Sequence, residues 1–417
     1  MSTLTQDRAP QVGAQALPLN AIDVSQPALF RDDTVGALFA RLRREDPVHY
    51  CADSEYGPYW SVTRYKDIME VEVNHGVFSS DIWSGGITIR DTPKEHRRPS
   101  FISMDPPLHD DQRKTVSPIV APGNLADMEA VIRERTCSVL DSLPRNETFN
   151  WVEKVSIELT TRMLATLFDF PFEDRRLLTY WSDVATVDLK SGGPIDTEEK
   201  RSAELAKCLE YFTRLWNERV NVPPRNDLVS MLAHSPATRN MSPVEFLGNT
   251  MLLIIGGNDT TRNSMSGGLH GLLSNPVEFA KLRANPGLIP NMVPEIIRWT
   301  TPLAHMRRTA VSDYTLGGKA IRKGDKVVMW YLSGNRDEAA IEHADRFIID
   351  RARPRQHISF GFGIHRCVGN RLAELQLKIL WEEMLPRFPV IELAGEPVRT
   401  FSNFVHGFTH LPVRIPG

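Results

Sequence analysis

The sequence predicts a mainly α protein with a minor β region, and three observations carry that prediction. Apolar residues recur at helical spacing through most of the stretch from His109 to about Arg387. Strand-like runs are short and lie near the N-terminus, at His49-Tyr50-Cys51 and Tyr59-Trp60-Ser61-Val62. No composition shift, linker, internal repeat or low-complexity tract divides the helical region. The expected organisation is a flexible arm over residues 1–25 and a single large domain over 26–417.

In chain order, residues 1–25 are polar and aperiodic, which gives the arm. Leu29, Phe30, Val35, Leu38, Phe39 and Leu42 then recur at helical spacing between Ala28 and Arg44. After the two short strands, Asp81 to Pro107 is broken by Gly85, Gly86, Pro93, Pro99, Pro106 and Pro107. A loop of that length inside a compact domain reads as a lid or binding loop. Helical patterns follow from His109.

Composition narrows the function. The 417 residues carry 49 Lys+Arg against 52 Asp+Glu, a net charge of −3, which removes the simplest case for nucleic-acid binding. With 41% hydrophobic and 24% charged residues the chain is an ordinary globular one. Cys51, Cys137, Cys208 and Cys367 are far apart with no C-x-x-C pair, so neither a disulfide framework nor a zinc site is expected. A reduced, cytoplasmic setting fits. The N-terminus lacks a basic segment followed by an apolar run. The apolar run Met251–Ile255 is far below the ~20 residues of a membrane crossing, so a soluble protein with no membrane span is expected.

The chemistry concentrates near the C-terminus. In Phe360-Gly361-Phe362-Gly363-Ile364-His365-Arg366-Cys367-Val368-Gly369 the glycines allow a tight backbone around Cys367 and close approach to a flat object. Cys367 is expected to open a helix, where backbone N–H groups favour the thiolate. One thiolate cannot build a tetrahedral zinc site, but it suits the single axial ligand of a haem iron. The plain alternative is a small buried hydrophobe. Upstream, Glu295 and Arg298 share a helix face at i, i+3. Two glycines, Gly256 and Gly257, interrupt the apolar helical run Met251–Ser264, each at about 1 kcal/mol relative to Ala. Something must approach that backbone, or the helix kinks or ends there. Beside them Asp259 precedes Thr260, an acid and a hydroxyl able to deliver protons to a buried centre. His109 and Arg113, at i and i+4, share a face suited to an anion.

Phe360, Gly363, Cys367 and Gly369 match F-x-x-G-x-x-x-C-x-G, and the chain resembles the cytochromes P450 over roughly Val35 to Pro412. That resemblance implies the cytochrome P450 fold, one large haem-binding domain, with haem b held through the Cys367 thiolate. By the same resemblance His109, Arg113, Arg308 and His365 meet haem propionates. Asp259 and Thr260 form the oxygen-activation pair, and Glu295 with Arg298 takes Arg346 as a structural partner. The implied reaction inserts one atom of O2 into a C–H bond and reduces the other to water. A thiolate ligand favours O–O cleavage. The chain has neither a G-x-G-x-x-G turn nor a cysteine cluster, so its electrons are expected from a ferredoxin and an NAD(P)H-dependent ferredoxin reductase. The docking face is expected behind Cys367, at Arg113 and Arg366.

The pocket is expected from Ile87, Phe101, Leu252, Ile255, Gly256, Leu303, Ala304, Met306, Phe404 and Val405. Their apolar character implies an apolar substrate held by burial. The string GGNDTTRNSMSGG, with Pro302-Leu303-Ala304-His305-Met306-Arg307-Arg308, is similar to the bacterial soluble alkane hydroxylases. This implies terminal hydroxylation of medium-chain n-alkanes or fatty acids. A terpene, steroid or alicyclic substrate is the alternative. A non-catalytic haem-thiolate sensor is a third reading, disfavoured because a sensor has no need of Asp259 and Thr260.

Overall fold

The computed structural model describes residues 16–417. One helix organises the rest: Pro243–Ser274, 32 residues long. Ser242 caps its start by accepting from the Glu245 N–H, and Pro243 occupies the first turn, where no N–H is needed. Around it pack the helices Ile289–Thr300, Arg176–Thr186 and Glu158–Phe168, the last entered through a π-helical stretch, Val152–Ile157. The helix Asn370–Arg387 lies against Pro122–Asp141 and Ile289–Thr300. Trp151, Leu269, Met292, Ile296, Trp381 and Phe388 close the core on one side of the long helix. Leu164, Phe168, Leu178, Phe212 and Ile254 close it on the other.

The main sheet has five strands in the order Val48–Cys51, Tyr59–Val62, Lys326–Trp330, His305–Ala310, Phe78–Ser79. Tyr59–Val62 runs parallel to Lys326–Trp330, with Trp60 opposite Val327; the other pairs are antiparallel. Lys326–Trp330 is buried along its whole length because it has a neighbour on each edge and packed layers on both faces.

The N-terminal strands stand where the sequence places them. Half of the sheet, however, comes from 305–330, inside the stretch expected to be helical. A short apolar run such as Val327-Val328-Met329-Trp330 has no period that separates a buried strand from a helix turn. The single helix expected over Ala28–Arg44 is two, Pro27–Arg31 and Val35–Glu45, parted where Asp33 takes φ +54°. The arm also needs correction. Residues 1–15 lie outside the described residues, but Ile22, Val24 and Ser25 are buried, and the Tyr59 hydroxyl donates to Asp23 at 2.9 Å. Ile22 and Val24, at alternating positions, join the cluster of Phe30, Phe39 and Trp330, and the polar contacts of Asp23 and Ser25 hold the segment beside them. The segment 81–107 is the expected loop, carrying only the single turns Lys94–His96 and Phe101–Ser103. Among the described residues no helix is long and apolar enough to cross a membrane.

Candidate active site

The cysteine loop folds back on itself. Gly361 (φ +67°) and Gly363 (φ +65°) hold left-handed conformations, the Cys367 N–H donates to the Phe360 carbonyl at 2.8 Å, and the Arg366 N–H donates to Gly363. Gly363 does not face the cavity described below, as its expected role in holding a cofactor would need. A Cβ there would collide with the Glu72 backbone, so glycine is required for packing. Nor does Cys367 open a helix; the following helix begins at Asn370, with Gly369 at its cap. The helix start still acts on the sulfur, because the Gly369 N–H donates to it. Burial pushes the Cys367 thiol up, while that N–H, Arg113 and Arg366 pull it down.

Cys367 is exposed only in the sense that it faces an internal cavity of about 510 Å3. Of the four cysteines it alone lines that space. Cys51 is buried elsewhere, its thiol pushed up to about 12, mainly by desolvation; Cys208 is buried in the helical core, and Cys137 lies beside Glu383. Phe360, Val368 and Gly369 surround the sulfur, and Leu252, Ile255, Gly256 and Thr260 of the long helix line the same space. Ile87, Phe101, Leu303, Met306 and Phe404 complete the apolar wall as expected. Ala304 and Val405 do not. Ala304 is fully buried on the opposite side of the extended chain, packed with Trp330, because alternate residues of such a chain face opposite ways. Val405 is buried in a bridge to Leu303. The two helix glycines separate: no atom stands near a Cβ on Gly256, whereas one on Gly257 would press on Leu164.

Asp259 and Thr260 are neighbours in sequence and occupy different environments. The Thr260 hydroxyl donates to the Gly256 carbonyl at 2.9 Å and lines the cavity. Asp259 is buried outside the lining, where Oδ1 accepts from Arg262 at 2.8 Å and Asn258 at 2.9 Å. Arg262 also reaches Asp183 at 2.9 Å, whose side chain is half exposed. Burial pushes the Asp259 carboxyl up and Arg262 opposes it. The hydroxyl therefore faces the cavity and the acid faces a charged path to the surface.

At another edge of the cavity the His109 and His365 rings meet edge to face at 4.4 Å. His365 Nε2 bonds Ser80 Oγ at 2.8 Å, and His109 Nδ1 bonds Asp110 at 2.8 Å. The remaining nitrogens, His365 Nδ1 and His109 Nε2, are buried without a partner. Desolvation, helped by Arg308, His109 and Arg113, pulls His365 down to about 2. Arg113 and Arg308 line the cavity beside it. Arg113 is turned inward onto the Arg366 carbonyl, and Arg308 pairs with Glu72 at 2.8 Å, which also accepts from the Tyr331 hydroxyl. Two orphaned ring nitrogens and two guanidiniums at one cavity edge, with a lone thiol on the lining, fit a flat group bearing carboxylates and one metal. His109 itself stands behind His365, outside the lining.

The support beneath the loop is a closed ion network. Glu295 pairs with Arg298 at 2.7 Å, both fully buried. The third guanidinium is Arg351, Nε to Glu295 Oε2 at 2.8 Å, and not Arg346. Arg346 is exposed and contributes its backbone carbonyl, which accepts from Arg298 at 2.8 Å. Two arginines in DRFIIDR compete for one role, and only the turn geometry selects between them.

The sequence reading missed a polar wall. Arg90, Arg97, Arg98 and Arg201 line the cavity together with Asp188 and Glu198. The pair Arg97-Arg98 inside the binding loop was a visible signal; nothing local marked Arg201. Also missed was His305, fully buried, whose Nε2 accepts from the Ile89 N–H at 3.2 Å while Nδ1 donates to the Asn403 carbonyl at 2.9 Å.

Residues 196–415 match the family model described as Cytochrome P450. Linalool 8-monooxygenase of Pseudomonas putida is 37% identical over 408 residues, 94% of this chain and 98% of its own. Among solved structures, Cytochrome P450-153 from Novosphingobium aromaticivorans is 49% identical with a TM-score of 0.88, covering 94% of this chain and 98% of that one. CYP153D17 from Sphingomonas sp. PAMC 26605 is 51% identical with a TM-score of 0.89, covering 95% and 99%. The chain belongs to the cytochromes P450, haem-thiolate monooxygenases, and has their fold. Its cofactor is haem with iron on an axial cysteine thiolate.

Proposed function

We propose that this enzyme hydroxylates the terminal carbon of medium-chain n-alkanes or fatty acids, with Cys367 as the iron ligand. The observation that carries the reading is the wall of Ile87, Phe101, Leu252, Ile255, Leu303, Met306 and Phe404 on the cavity that Cys367 shares. Such a wall holds an alkyl chain by burial, at about 25 cal/mol per Å2, and itself offers no polar handle. The similarity of GGNDTTRNSMSGG to alkane hydroxylases supports the same substrate class.

Haem, when bound, supplies oxygen activation and electron transfer. The chain does the rest. The Gly369 N–H, Arg113 and Arg366 steady the Cys367 thiolate. His365, Arg113 and Arg308, backed by His109, hold carboxylates at the cavity edge. Asp259, on the long helix, is the acid that can carry a proton, held in place by the permanently charged Arg262 that also pairs with Asp183, and the Thr260 hydroxyl holds a water at the cavity face. The apolar wall excludes bulk water from the reacting carbon. Electrons come from a ferredoxin and its NAD(P)H-dependent reductase, docking where Arg366, Phe362 and Leu108 are exposed.

The test is the spectrum of the dithionite-reduced, CO-treated holoenzyme, followed by titration of the ferric form with n-octane. A strongly red-shifted Soret band that Cys367→His abolishes, with a low- to high-spin change on octane, is expected. An unshifted band in freshly folded protein overturns Cys367 ligation. A silent octane titration with the band intact transfers the reading to terpenes, which the similarity to linalool 8-monooxygenase supports.

A further inference from the structure

The cavity is not apolar throughout. One wall, built from residues 90–98 of the loop, the segment 185–188 and the first turns of the helix Glu198–Val220, carries four arginines against two carboxylates. Arg90 is paired with Asp188 at 3.0 Å and Arg201 with Glu198 at 2.6 Å. Arg97 and Arg98 have no carboxylate partner among the described residues. Arg97 donates to the Thr92 and Trp83 carbonyls and lies over the Trp83 ring. Arg98 is half-buried and donates only to the His96 carbonyl at 3.2 Å and Ser202 Oγ at 2.9 Å. Glu198 acts on Arg98 only from beyond ion-pair distance and is itself paired with Arg201, so a half-buried guanidinium whose hydrogen bonds all go to neutral groups is left room for an anion.

The loop also holds Arg98 in place. A Cβ on Gly248 of the long helix would collide with the Pro99 carbonyl, so glycine lets Arg98-Pro99 lie directly on the helix. Two residues on, the Phe101 N–H donates to Asn249 Oδ1 at 3.0 Å, and Asn249 is fixed by Gln112 at 3.0 Å. Gly248 precedes Gly256 by eight residues and Thr260 by twelve, about 12 and 18 Å along a helix at 1.5 Å per residue. The arginine wall thus meets the long helix well away from the part that faces Cys367.

We infer that this wall is a carboxylate subsite, in which Arg98, with Arg97 and Arg201 beside it, takes the head group of a medium-chain acid whose methyl end lies toward Cys367. The inference rests on the alkyl-chain reading above and narrows it: of the two substrate classes, the acid uses both the apolar wall and the charged one, the alkane only the first. Burial pulls the Arg98 guanidinium down, with Glu198 opposing it and Arg201 adding to it.

The experiment is calorimetric and spin-state titration of the holoenzyme with dodecanoate, methyl dodecanoate and n-octane, for wild type, Arg98→Gln and Arg98→Lys. Wild type is expected to bind dodecanoate more tightly than its ester. Arg98→Gln is expected to weaken dodecanoate about tenfold, or ~1.4 kcal/mol, with ester and octane unchanged; Arg98→Lys recovers most of the loss. Equal weakening of acid and ester, or no change for either, overturns the subsite. Octane that shifts the spin state while dodecanoate ignores Arg98 overturns the subsite alone. A silent octane titration with Arg98-dependent dodecanoate binding retains the subsite and removes the alkane from the proposed function.

Discussion

Glu295, fully buried, accepts four hydrogen bonds: two from Arg298, one from Arg351 and one from the Ile348 N–H. A buried charge so fully satisfied is stable only while every partner stays, since removing one strands the rest at about 3–5 kcal/mol. Arg351→Ala is therefore expected to lower stability in urea by about 3 kcal/mol, whereas Arg346→Ala, whose side chain is exposed, stays within about 0.5 kcal/mol. Equal effects would reverse the assignment of the third guanidinium. Residue types and spacing made Cys367, Glu295 and Arg298 legible, because their signals are local. The choice of Arg351 over Arg346 was not legible, because it depends on how the chain turns after Phe347. Asp259 was found by its neighbour Thr260, yet one residue of helix turns a side chain by 100°, and that rotation places the acid outside the cavity.

At the scale of the element, the long helix Pro243–Ser274 uses its glycines for different ends. Gly256 leaves room on the cavity side, while Gly248 admits the backbone of another segment. Gly256→Ala is expected to keep or raise the melting temperature, through helix propensity worth up to about 1 kcal/mol, and to change the hydroxylation pattern by narrowing the cavity. Gly248→Ala is expected to lose about 1–3 kcal/mol by overpacking against Pro99. Thermal unfolding of both decides; a cost for Gly256→Ala equal to that for Gly248→Ala would refute the division. The sequence announced this helix by its apolar run and the loop by its glycines and prolines. It could not announce that they touch at Gly248, because the contact joins positions some 150 residues apart.

For the molecule as a whole, buried neutral histidines set an acid limit. Desolvation pulls His305 down to about 4, and His270 likewise. Unfolded, each titrates near 6.5. The folded value is the lower one, so the unfolded chain binds more protons as the pH falls from about 6.5 toward 4, and stability is lost over that window. His305 alone accounts for roughly 3 kcal/mol if its whole shift is realised. His305→Gln is expected to flatten the fall of melting temperature between pH 6.5 and 4.5, and an unchanged slope would show that His305 takes no part. Asn403 donates to the Ser25 carbonyl at 2.6 Å, Arg399 pairs with Asp33 at 2.7 Å, and Pro412–Arg414 pairs with Thr148–Asn150. Contacts spanning more than 360 residues are the slowest to form. While a ribosome adds residues at roughly 5–20 per second, the cavity has its floor and its long helix before it has the tail that closes it. The growing chain thus passes through an open stage lasting roughly seconds before residues 399–414 tie the two ends of the domain together.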